Sequence, residues 1–252
     1  MTKNDLAVLE RELHYHEKLY SGFAQRHFAR PAVRALRAHM VRRMLRLLPD
    51  ARAARVLSLG CGIGDTEILF ASHVRELHGV DLSPAAIQQA SGDAARAGLR
   101  NATFFEGSLD SVRGKFDFVF AIFFLHHLPD ALLESAPSRI ARLLAPGGRF
   151  YSLDPSRRRL SGAIGSRLFP KLMKRYQTED ERELDPDWTA ALFRKSGYSC
   201  SAGYYDFLST PLAGLFPGWR GGYKAARVAD DCIIKVPLLQ RLGSNFELAA
   251  SL

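Results

Sequence analysis

The feature that most constrains this chain is an apolar run that leads directly into a glycine-rich turn. The run Val56–Leu59 is followed by Gly60-Cys61-Gly62-Ile63-Gly64. Glycines there let the backbone approach a ligand closely, and the helix that follows presents free N–H groups to it. A second apolar run ends at Asp81, and a carboxylate at that place can accept both ribose hydroxyls of a nucleoside lying across the strand ends. Together the turn and Asp81 predict a site for a nucleoside-containing cofactor.

Short apolar runs alternate with helical stretches from Arg55 onward, which is typical of parallel strands joined by crossover helices. The sequence therefore predicts an α/β fold with a doubly wound, Rossmann-like, mostly parallel seven-stranded sheet. Strands are expected at Arg55–Leu59, Arg75–Asp81, Ala102–Glu106, Phe116–Ile122, Arg149–Leu153, Tyr198–Leu208 and Asn245–Ala250. Helices are expected at about 65–72, 84–97, 132–144 and 187–195.

The remaining segments are expected to decorate this sheet. Residues 1–50 form a helical amino-terminal extension or lid, interrupted at Ser21-Gly22 and Pro31. Residues 51–252 form the main domain, with cap segments at about 155–180 and 210–243. Together they are expected to build the pocket for a second substrate.

The third glycine position distinguishes between two cofactor classes. Dinucleotide-binding turns carry Gly or Ala three residues after the second glycine, because helix and strand pack closely there and the pyrophosphate lies at the helix amino end. This chain has Asp65 instead. A carboxylate would repel a pyrophosphate, whereas the ammonium of a methionine-like tail can lie near it. S-adenosylmethionine is therefore favoured over NAD.

Composition is that of an ordinary globular protein of 252 residues, 47% hydrophobic and 24% charged. The absence of an apolar run of roughly 18 to 20 residues and the polar amino end favour a cytoplasmic location. The three cysteines lie far apart and are read as reduced thiols. No group of His, Cys or carboxylate residues has metal-ligand spacing, so no metal is expected.

The net charge of +9 indicates attraction to an anionic partner. Basic residues concentrate in 26–55 and in 155–176, and the apolar face of Leu160–Tyr176 with its basic edges is typical of an interfacial helix. Peripheral membrane contact through 155–176 is therefore one hypothesis. Solvated helix faces on an arginine-rich protein are the alternative.

Five segments in register resemble class I S-adenosylmethionine-dependent methyltransferases of the small-molecule type. They are Val56–Gly64, Gly79–Ser83, Phe116–Phe120, Leu125–Asp130 and Leu144–Gly148. The resemblance covers about Arg55 to Leu153, and residues 185–199 resemble the family's penultimate helix before strand six. It implies S-adenosylmethionine as cofactor, S-adenosylhomocysteine as product and a small-molecule acceptor as partner.

The resemblance also implies roles for individual residues. Gly60, Gly62 and Gly64 would line the methionine portion, with Asp65 nearby. Asp81 would hold the ribose and Leu82 would pack on the adenine. The adenine amine would meet Ser108, where the family usually has an aspartate, with the Leu109 backbone against the ring and Asp110 as a substitute acid. The remaining cofactor contacts are expected from Ala121, Ile122, Phe123 and Tyr20.

Methyl transfer from an activated sulfonium needs alignment and, for a hydroxyl acceptor, removal of a proton. His126 and His127 follow the fourth strand and are the candidate bases, the alternative being a pair that packs and hydrogen-bonds locally. The acceptor pocket is expected to be apolar and aromatic, which indicates a small hydrophobic or aromatic acceptor. Methylation of oxygen or nitrogen is expected in preference to carbon, although the sequence does not identify the methylated atom. Candidate lining residues are Phe123, Phe124, Tyr204, Tyr205, Phe207, Phe216 and Trp219.

Three alternative functions remain open. A nucleic-acid methyltransferase would also use a basic surface, but Ala121-Ile122-Phe123-Phe124 replaces the motif that recognises base amines after strand four. A non-catalytic S-adenosylmethionine-binding module would need a filled acceptor pocket. An NAD-dependent oxidoreductase is the least favoured because of Asp65. The sequence leaves the oligomeric state open.

Overall fold

A computed structural model describes residues 8, 10, 11, 13, 14, 27–160 and 182–252. Its strands are β1 (Arg55–Leu59), β2 (Glu76–Asp81), β3 (Ala102–Glu106), β4 (Phe116–Ile122), β5 (Leu144–Pro155), β6 (Ser199–Asp206) and β7 (Asn245–Ser251). From residue 31 onward, the described helices are α1 (Pro31–Leu45), α2 (Asp65–Ala71), α3 (Pro84–Arg96), α4 (Asp130–Ala141), α5 (Pro186–Lys195), α6 (Ser209–Leu215), α7 (Arg220–Ile233) and α8 (Pro237–Gln240).

The strands form one seven-stranded sheet in the order β3-β2-β1-β4-β5-β7-β6. The first five are parallel, whereas β7 runs antiparallel to both β5 and β6. The strand order reverses at β1, so the carboxyl ends of β1 and β4 flank the crevice where doubly wound sheets bind ligands. The predicted α/β fold with a mostly parallel seven-stranded sheet is confirmed.

Local sequence signals set the helix starts. Ser83 accepts a hydrogen bond from the Ala86 N–H, and Pro84 takes the first helical position of α3. Asp185 accepts from the N–H groups of residues 187 and 188 at the start of α5. Pro31, expected to interrupt a helix, instead begins α1, where its missing N–H costs nothing.

Two layers of apolar side chains enclose the sheet. One layer joins α1 and α2 to the sheet through Met40, Met44, Phe70 and Phe118, all buried. The other packs α4 and α5 against β4 and β5, where the rings of Phe150 and Phe193 stack at 5.0 Å. Helix α1 therefore shares the core of the sheet and lies against the strand ends that carry the site.

Several predicted boundaries differ from the structure. The helix expected to run to Leu144 ends at Ala141, and β5 begins at Leu144 with a register irregularity before it rejoins β4 at Arg149. The cap segment 210–243, in which no helices were predicted, is largely helical as α6, α7 and α8. The expected interfacial helix Leu160–Tyr176 lies, beyond Leu160, outside the described residues.

Candidate functional site

The glycine turn between β1 and α2 adopts backbone conformations that residues with a side chain seldom adopt. Gly60, Gly62 and Gly64 have φ of 66°, 51° and 74°. A methyl group added to Gly60 would overlap the ring of Phe124. The N–H groups of Gly60 and Cys61 donate to the carbonyl of residue 80 at 2.9 and 3.1 Å, which anchors the turn to β2. The turn is thus held in place at the switch point, and its glycines expose backbone there without a side chain.

Asp81 lies at the carboxyl end of β2 and joins the turn. Its Oδ2 accepts from the Gly62 N–H at 2.8 Å and its Oδ1 accepts from the Ser83 N–H at 2.9 Å. Each carboxylate oxygen can accept a second hydrogen bond. Asp81 is therefore oriented by the backbone while it keeps acceptor capacity toward the cavity that it lines.

A cavity of about 730 Å³ opens over the turn. Its volume is in the range of cofactor and small-molecule sites. Apolar side chains form much of its wall, and they come from several elements: Leu13, Phe28, Val33, Leu36, Ile63, Ile122, Phe123, Phe124, Leu128, Leu132 and Ala213. Polar groups are confined to a few positions, among them both candidate carboxylates, Asp65 and Asp81.

Phe123, at the end of β4, carries local backbone strain. Its φ is 54°, in the left-handed region that bulky residues seldom adopt. The Phe123 N–H donates to the Leu153 carbonyl at 2.7 Å, which holds the turn in place. The strained turn directs the chain so that Phe123 and Phe124 both line the cavity.

Arg37 of α1 reaches the cavity between two aromatic rings. Its guanidinium carbon lies 5.2 Å from the ring centroid of Phe28 and 5.8 Å from that of Phe123. Its Nε lies 2.7 Å from Oδ2 of Asp65, and both side chains are largely buried. Asp65, expected near the cofactor ammonium, thus already has a cationic partner within the protein.

Glu67, in the first turn of α2, is a further acid that lines the cavity, and it was not predicted from the sequence. Its Oε1 accepts from the Ser58 hydroxyl at 2.6 Å, while its Oε2 is buried without a hydrogen-bond partner. Burial, and secondarily the negative charge of Asp65, raise the pKa of Glu67 to about 7. An acid in the first turn of a helix is so common that no local signal singled it out.

The two candidate histidines occupy different environments. His126 is 3% exposed, and its Nδ1 lies 2.9 Å from Oδ1 of Asp154, which also accepts from the His126 N–H at 3.3 Å. His127 lines the cavity, and the centroids of the two imidazole rings are 4.0 Å apart. The geometry gives His127 the access that a base needs. His126 does not line the cavity and is held against a buried carboxylate.

The far end of the cavity is bounded by the loop after β3. Ser108, Leu109 and Asp110 all line it. Asp110 accepts from Arg139 of α4, with Nε to Oδ1 at 2.9 Å, and this hydrogen bond holds the pKa of Asp110 below its ordinary value. The substitute acid for the adenine amine is therefore already engaged with an arginine.

The structure separates the predicted site residues into three groups. Those that line the cavity are Gly60, Gly62, Asp65, Asp81, Leu82, Ser108, Leu109, Ile122, Phe123 and His127. Those outside its lining are Gly64, Ala121 and His126; the first starts α2 and the second is fully buried in the sheet. Tyr20 lies outside the described residues.

Most of the aromatic residues expected to line an acceptor pocket lie elsewhere. Tyr205 is fully buried between the guanidinium groups of Arg43 and Arg227, at 5.4 and 5.3 Å from its ring centroid. Phe216 and Trp219 are more than half exposed. Of the expected set, only Phe123 and Phe124 line the cavity, and the carboxyl-terminal segment contributes Thr210, Ala213 and Gly214 instead of its aromatic residues.

The described ranges contain neither a metal-ion cluster nor a membrane-spanning helix. Among residues 27–160, 182–252 and the five described before them, no three His, Cys, Asp or Glu residues are grouped to hold a metal ion. Within the same ranges, no helix combines the length and apolarity that a bilayer crossing requires.

A doubly wound sheet, a glycine turn at the switch point and an acid ending β2 define a Rossmann-like nucleotide-binding class of domain. Comparison with known proteins narrows this class. Residues 56–148 match a family model described as "Methyltransferase domain". The chain is 33% identical over 103 residues to the uncharacterized methyltransferase YcgJ of Bacillus subtilis, covering 40% of each chain.

Two further comparisons agree with this. A 2-heptyl-1-hydroxyquinolin-4(1H)-one methyltransferase of Mycobacteroides abscessus is 34% identical over 101 residues, covering 39% of this chain and 44% of that protein. The crystal structure of magnesium protoporphyrin IX methyltransferase from Synechocystis, with bound S-adenosylhomocysteine, superposes with a TM-score of 0.65 at 15% identity, covering 95% and 99% of the two chains. The sequence matches span less than half of these two curated relatives.

The chain therefore carries a class I S-adenosylmethionine-dependent methyltransferase domain, as the five sequence motifs predicted. The matched segment runs from β1 to the start of β5 and includes the glycine turn, Asp81 and both histidines.

Proposed function

We propose that this protein transfers the methyl group of S-adenosylmethionine to a small, hydrophobic or aromatic acceptor. The observation that carries the proposal is a single cavity of about 730 Å³ that joins the glycine turn and Asp81 to a largely apolar wall. Such a cavity has a polar end for a nucleoside and an apolar end for a second substrate. The quinolone methyltransferase among the relatives acts, by its name, on a small aromatic molecule, which supports the same acceptor class.

The residues present fit the cofactor. Gly60 and Gly62 have positive φ and present no side chain to the cavity, Asp81 is held as an acceptor, and Glu67 carries a buried oxygen that lacks a donor. When bound, S-adenosylmethionine supplies a methyl group already activated by its sulfonium. Asp81 is proposed to accept the ribose hydroxyls, Leu82 to pack on the adenine, and Ser108 and Leu109 to contact its edge.

The protein's own contribution to methyl transfer is proposed to be alignment, exclusion of water and removal of one proton. Ile122, Phe123 and Phe124 form an apolar wall that excludes water from the reacting end. His127, at the cavity wall, is the proposed base for an acceptor hydroxyl or amine. His126 is proposed to hold the His127 ring in position, because Asp154 fixes Nδ1 of His126 and the two imidazole rings lie against each other.

The amino-terminal extension is proposed to close the acceptor end. Leu13, Phe28, Val33 and Leu36 contribute apolar lining, and Arg37 joins α1 to Asp65 of the cofactor turn. This arrangement favours a lipophilic acceptor, because an apolar lid selects against a hydrated one. O- or N-methylation of that acceptor is proposed.

A cytoplasmic location with peripheral membrane contact through 155–176 remains part of the proposal. Within the described start of that segment, Arg158 pairs with Asp185 and Asp187, and Arg159 with Glu183. These two arginines are therefore partly neutralised within the protein, and membrane attraction would depend on the rest of the segment. Co-sedimentation with vesicles of anionic and of neutral phospholipid tests the proposed membrane contact. Equal recovery of the protein in the supernatant with both kinds of vesicle would refute that contact.

Turnover provides the test of the proposed activity. The protein is incubated with S-adenosylmethionine and a panel of hydroxyquinolones, phenols and aromatic amines, and S-adenosylhomocysteine is quantified. Acceptor-dependent formation of that product supports the proposal. Binding of S-adenosylhomocysteine without turnover on any acceptor would favour a non-catalytic module, and binding of NAD alone would refute the cofactor assignment.

The histidines are separated by single substitution once an acceptor is found. His127→Ala is expected to lower kcat by roughly 100-fold or more, with S-adenosylhomocysteine affinity unchanged, because general base catalysis contributes on that order. His126→Ala is expected to have a smaller effect. Equal turnover by both variants and the wild type would leave alignment as the whole mechanism.

A further inference from the structure

Among the acids at the cavity, Glu67 has a buried carboxylate oxygen with neither a hydrogen bond nor an ion pair among the described residues. Its side chain is only 3% exposed and lines the cavity. Oε1 accepts from the Ser58 hydroxyl at 2.6 Å, and Oε2 has no hydrogen-bond partner. Buried polar atoms are nearly always paired, so an orphaned carboxylate oxygen in a cavity wall indicates a donor that the ligand brings.

The neighbouring acids are already engaged. Asp65 Oδ2 accepts no hydrogen bond of good geometry, but it lies 2.7 Å from Nε of Arg37 in an ion pair. Asp81 accepts two backbone N–H groups, from Gly62 and Ser83. From the sequence, Asp65 is expected near the cofactor's ammonium because of its position in the turn. The structure shows that its charge is offset by Arg37, whereas Glu67 has no cationic partner in contact among the described residues.

Position within the sheet indicates which part of the cofactor lies near Glu67. Asp81 ends β2 and the Ser108 loop follows β3, so the ribose and adenine are assigned to that side. Glu67 is instead bonded to Ser58 of β1, just before the glycine turn. The part of the cofactor that remains to lie near Glu67 is its amino-acid tail. The ammonium of that tail has three hydrogen-bond donors and a charge opposite to that of a carboxylate.

We propose that Glu67, and not Asp65, receives the α-ammonium of the cofactor through its free Oε2. The inference rests on the proposed function, because it assigns a residue to the amino-acid tail of S-adenosylmethionine and S-adenosylhomocysteine. An ammonium placed there offsets the desolvation of the buried carboxylate and satisfies its orphaned oxygen. Glu67 is thereby a specificity determinant for the amino group, distinct from the ribose ligand Asp81.

The charges around Glu67 give binding a characteristic pH dependence. Asp65 of α2 raises its pKa, Arg37 of α1 lowers it, and the thiol of Cys61 in the turn interacts with it. With its pKa at about 7 in the free protein, Glu67 is partly protonated at neutral pH. Binding of an ammonium requires the ionised form, so the cofactor product should bind more tightly as pH rises from 6 to 8 and should release a proton near pH 7.

The test compares two ligands and two variants by titration calorimetry at pH 8. The ligands are S-adenosylhomocysteine and its analogue in which hydrogen replaces the α-amino group. The variants are Glu67→Gln, which keeps an acceptor for Ser58, and Glu134→Gln, a matched change at an exposed position on α4. Urea unfolding of each variant confirms that it is folded.

The wild type is expected to bind S-adenosylhomocysteine roughly 10- to 100-fold more tightly than the analogue, the usual value of a hydrogen bond to a charged group. Glu67→Gln is expected to lose most of that preference while its affinity for the analogue stays within about twofold of wild type. Glu134→Gln should match the wild type with both ligands. Equal losses for both ligands, or an unchanged preference, would overturn the assignment of Glu67.

A second readout needs no variant. Titration of the wild type at pH 7 in two buffers of different ionisation enthalpy should show proton release on binding S-adenosylhomocysteine and none on binding the analogue. Identical proton exchange with both ligands would also overturn the assignment. Failure of the wild type to bind either ligand would instead refute the proposed function itself, so the two failures are distinguishable.

Discussion

The buried acid Glu67 should make the folded protein less stable as the pH rises, and Glu67→Gln should remove this effect. Burial raises its pKa from an ordinary 4.5 to about 7. At about 1.4 kcal/mol per pH unit, this difference corresponds to about 3 kcal/mol between the two protonation states. The side chain is buried in the cavity wall, so little of this energy is screened by solvent.

The sign follows from proton binding. Between pH 4.5 and 7 the folded protein holds the Glu67 proton more tightly than the unfolded chain does, so the unfolding free energy contributed by this group falls as pH rises. Glutamine does not titrate and keeps the acceptor for Ser58. Glu67→Gln should therefore gain stability relative to the wild type by about 3 kcal/mol between pH 4.5 and pH 8, levelling off above pH 7.

Urea unfolding of both proteins, without ligand and at half-unit pH steps from 4.5 to 8.5, measures this quantity. Because only the change in the wild-type-to-variant difference is used, a constant offset from altered packing cancels. Glu134→Gln serves as the control and should give a flat difference. A flat difference for Glu67→Gln as well, or one that falls with pH, would refute the reasoning about this carboxyl group.

The remaining predictions concern Asp81, the proposed ribose ligand, the partly buried His39 and the glycine Gly64. Asp81→Ala should weaken S-adenosylhomocysteine binding by about 2 to 3 kcal/mol in calorimetry, because charge-assisted contacts are lost; unchanged affinity would remove Asp81 from the ribose role. His39 has its pKa lowered from 6.5 to about 4, chiefly by burial and then by neighbouring arginines, so its contribution to stability is present above pH 6.5 and is lost as pH falls toward 4. His39→Leu should flatten that acid limb in urea unfolding, and a limb as steep as that of the wild type would contradict this. Gly64→Ala should destabilise by about 1 to 3 kcal/mol, because φ is 74° and the new methyl would lie 3.0 Å from Ala90 Cβ. Urea unfolding measures both glycine variants. Gly98→Ala, with φ of 68° and open space around the new methyl group, controls for backbone strain alone and should destabilise less.

The central sheet could be predicted from sequence because its signals are local. Each parallel strand is a short apolar run, and the buried stretches Val56–Leu59 and Phe118–Ile122 lie where the pattern placed them. The glycine turn and Asp81 could also be predicted from the sequence, since a strand end, a turn and a helix start all lie within one stretch of chain. Their relation to one another follows from the parallel order of β1 and β2.

The carboxyl-terminal helices were not predicted because their sequences carry contrary signals. Helix α7 carries Gly221-Gly222 in its first turn, and a methyl group on Gly222 would overlap the ring of Trp219, so packing against the N-cap residue selects glycine there. The same helix buries Arg227 and Asp230, which obscures its apolar periodicity. Asp230 accepts from the N–H groups of residues 207–209 and thereby fixes the start of α6.

The site residues that sequence reasoning missed depend on contacts between distant segments. Arg37 is one of many arginines in its helix, and only packing between Phe28 and Phe123 distinguishes it. Glu67 acquires its character from burial beside Ser58. Asp154 of β5, which was also missed, pairs with the predicted His126. None of these pairings has a signature in one stretch of sequence.

If the proposed function is correct, the contacts of Arg37 link the two substrates thermodynamically. One guanidinium contacts Phe28 and Phe123, in the wall proposed to face the acceptor, and Asp65, beside the turn proposed to hold the cofactor. Any acceptor that shifts those rings therefore changes the free energy of the turn, and linkage requires that the cofactor alter acceptor affinity by the same factor. Redesign of the apolar wall for a different acceptor would consequently retune cofactor binding as well.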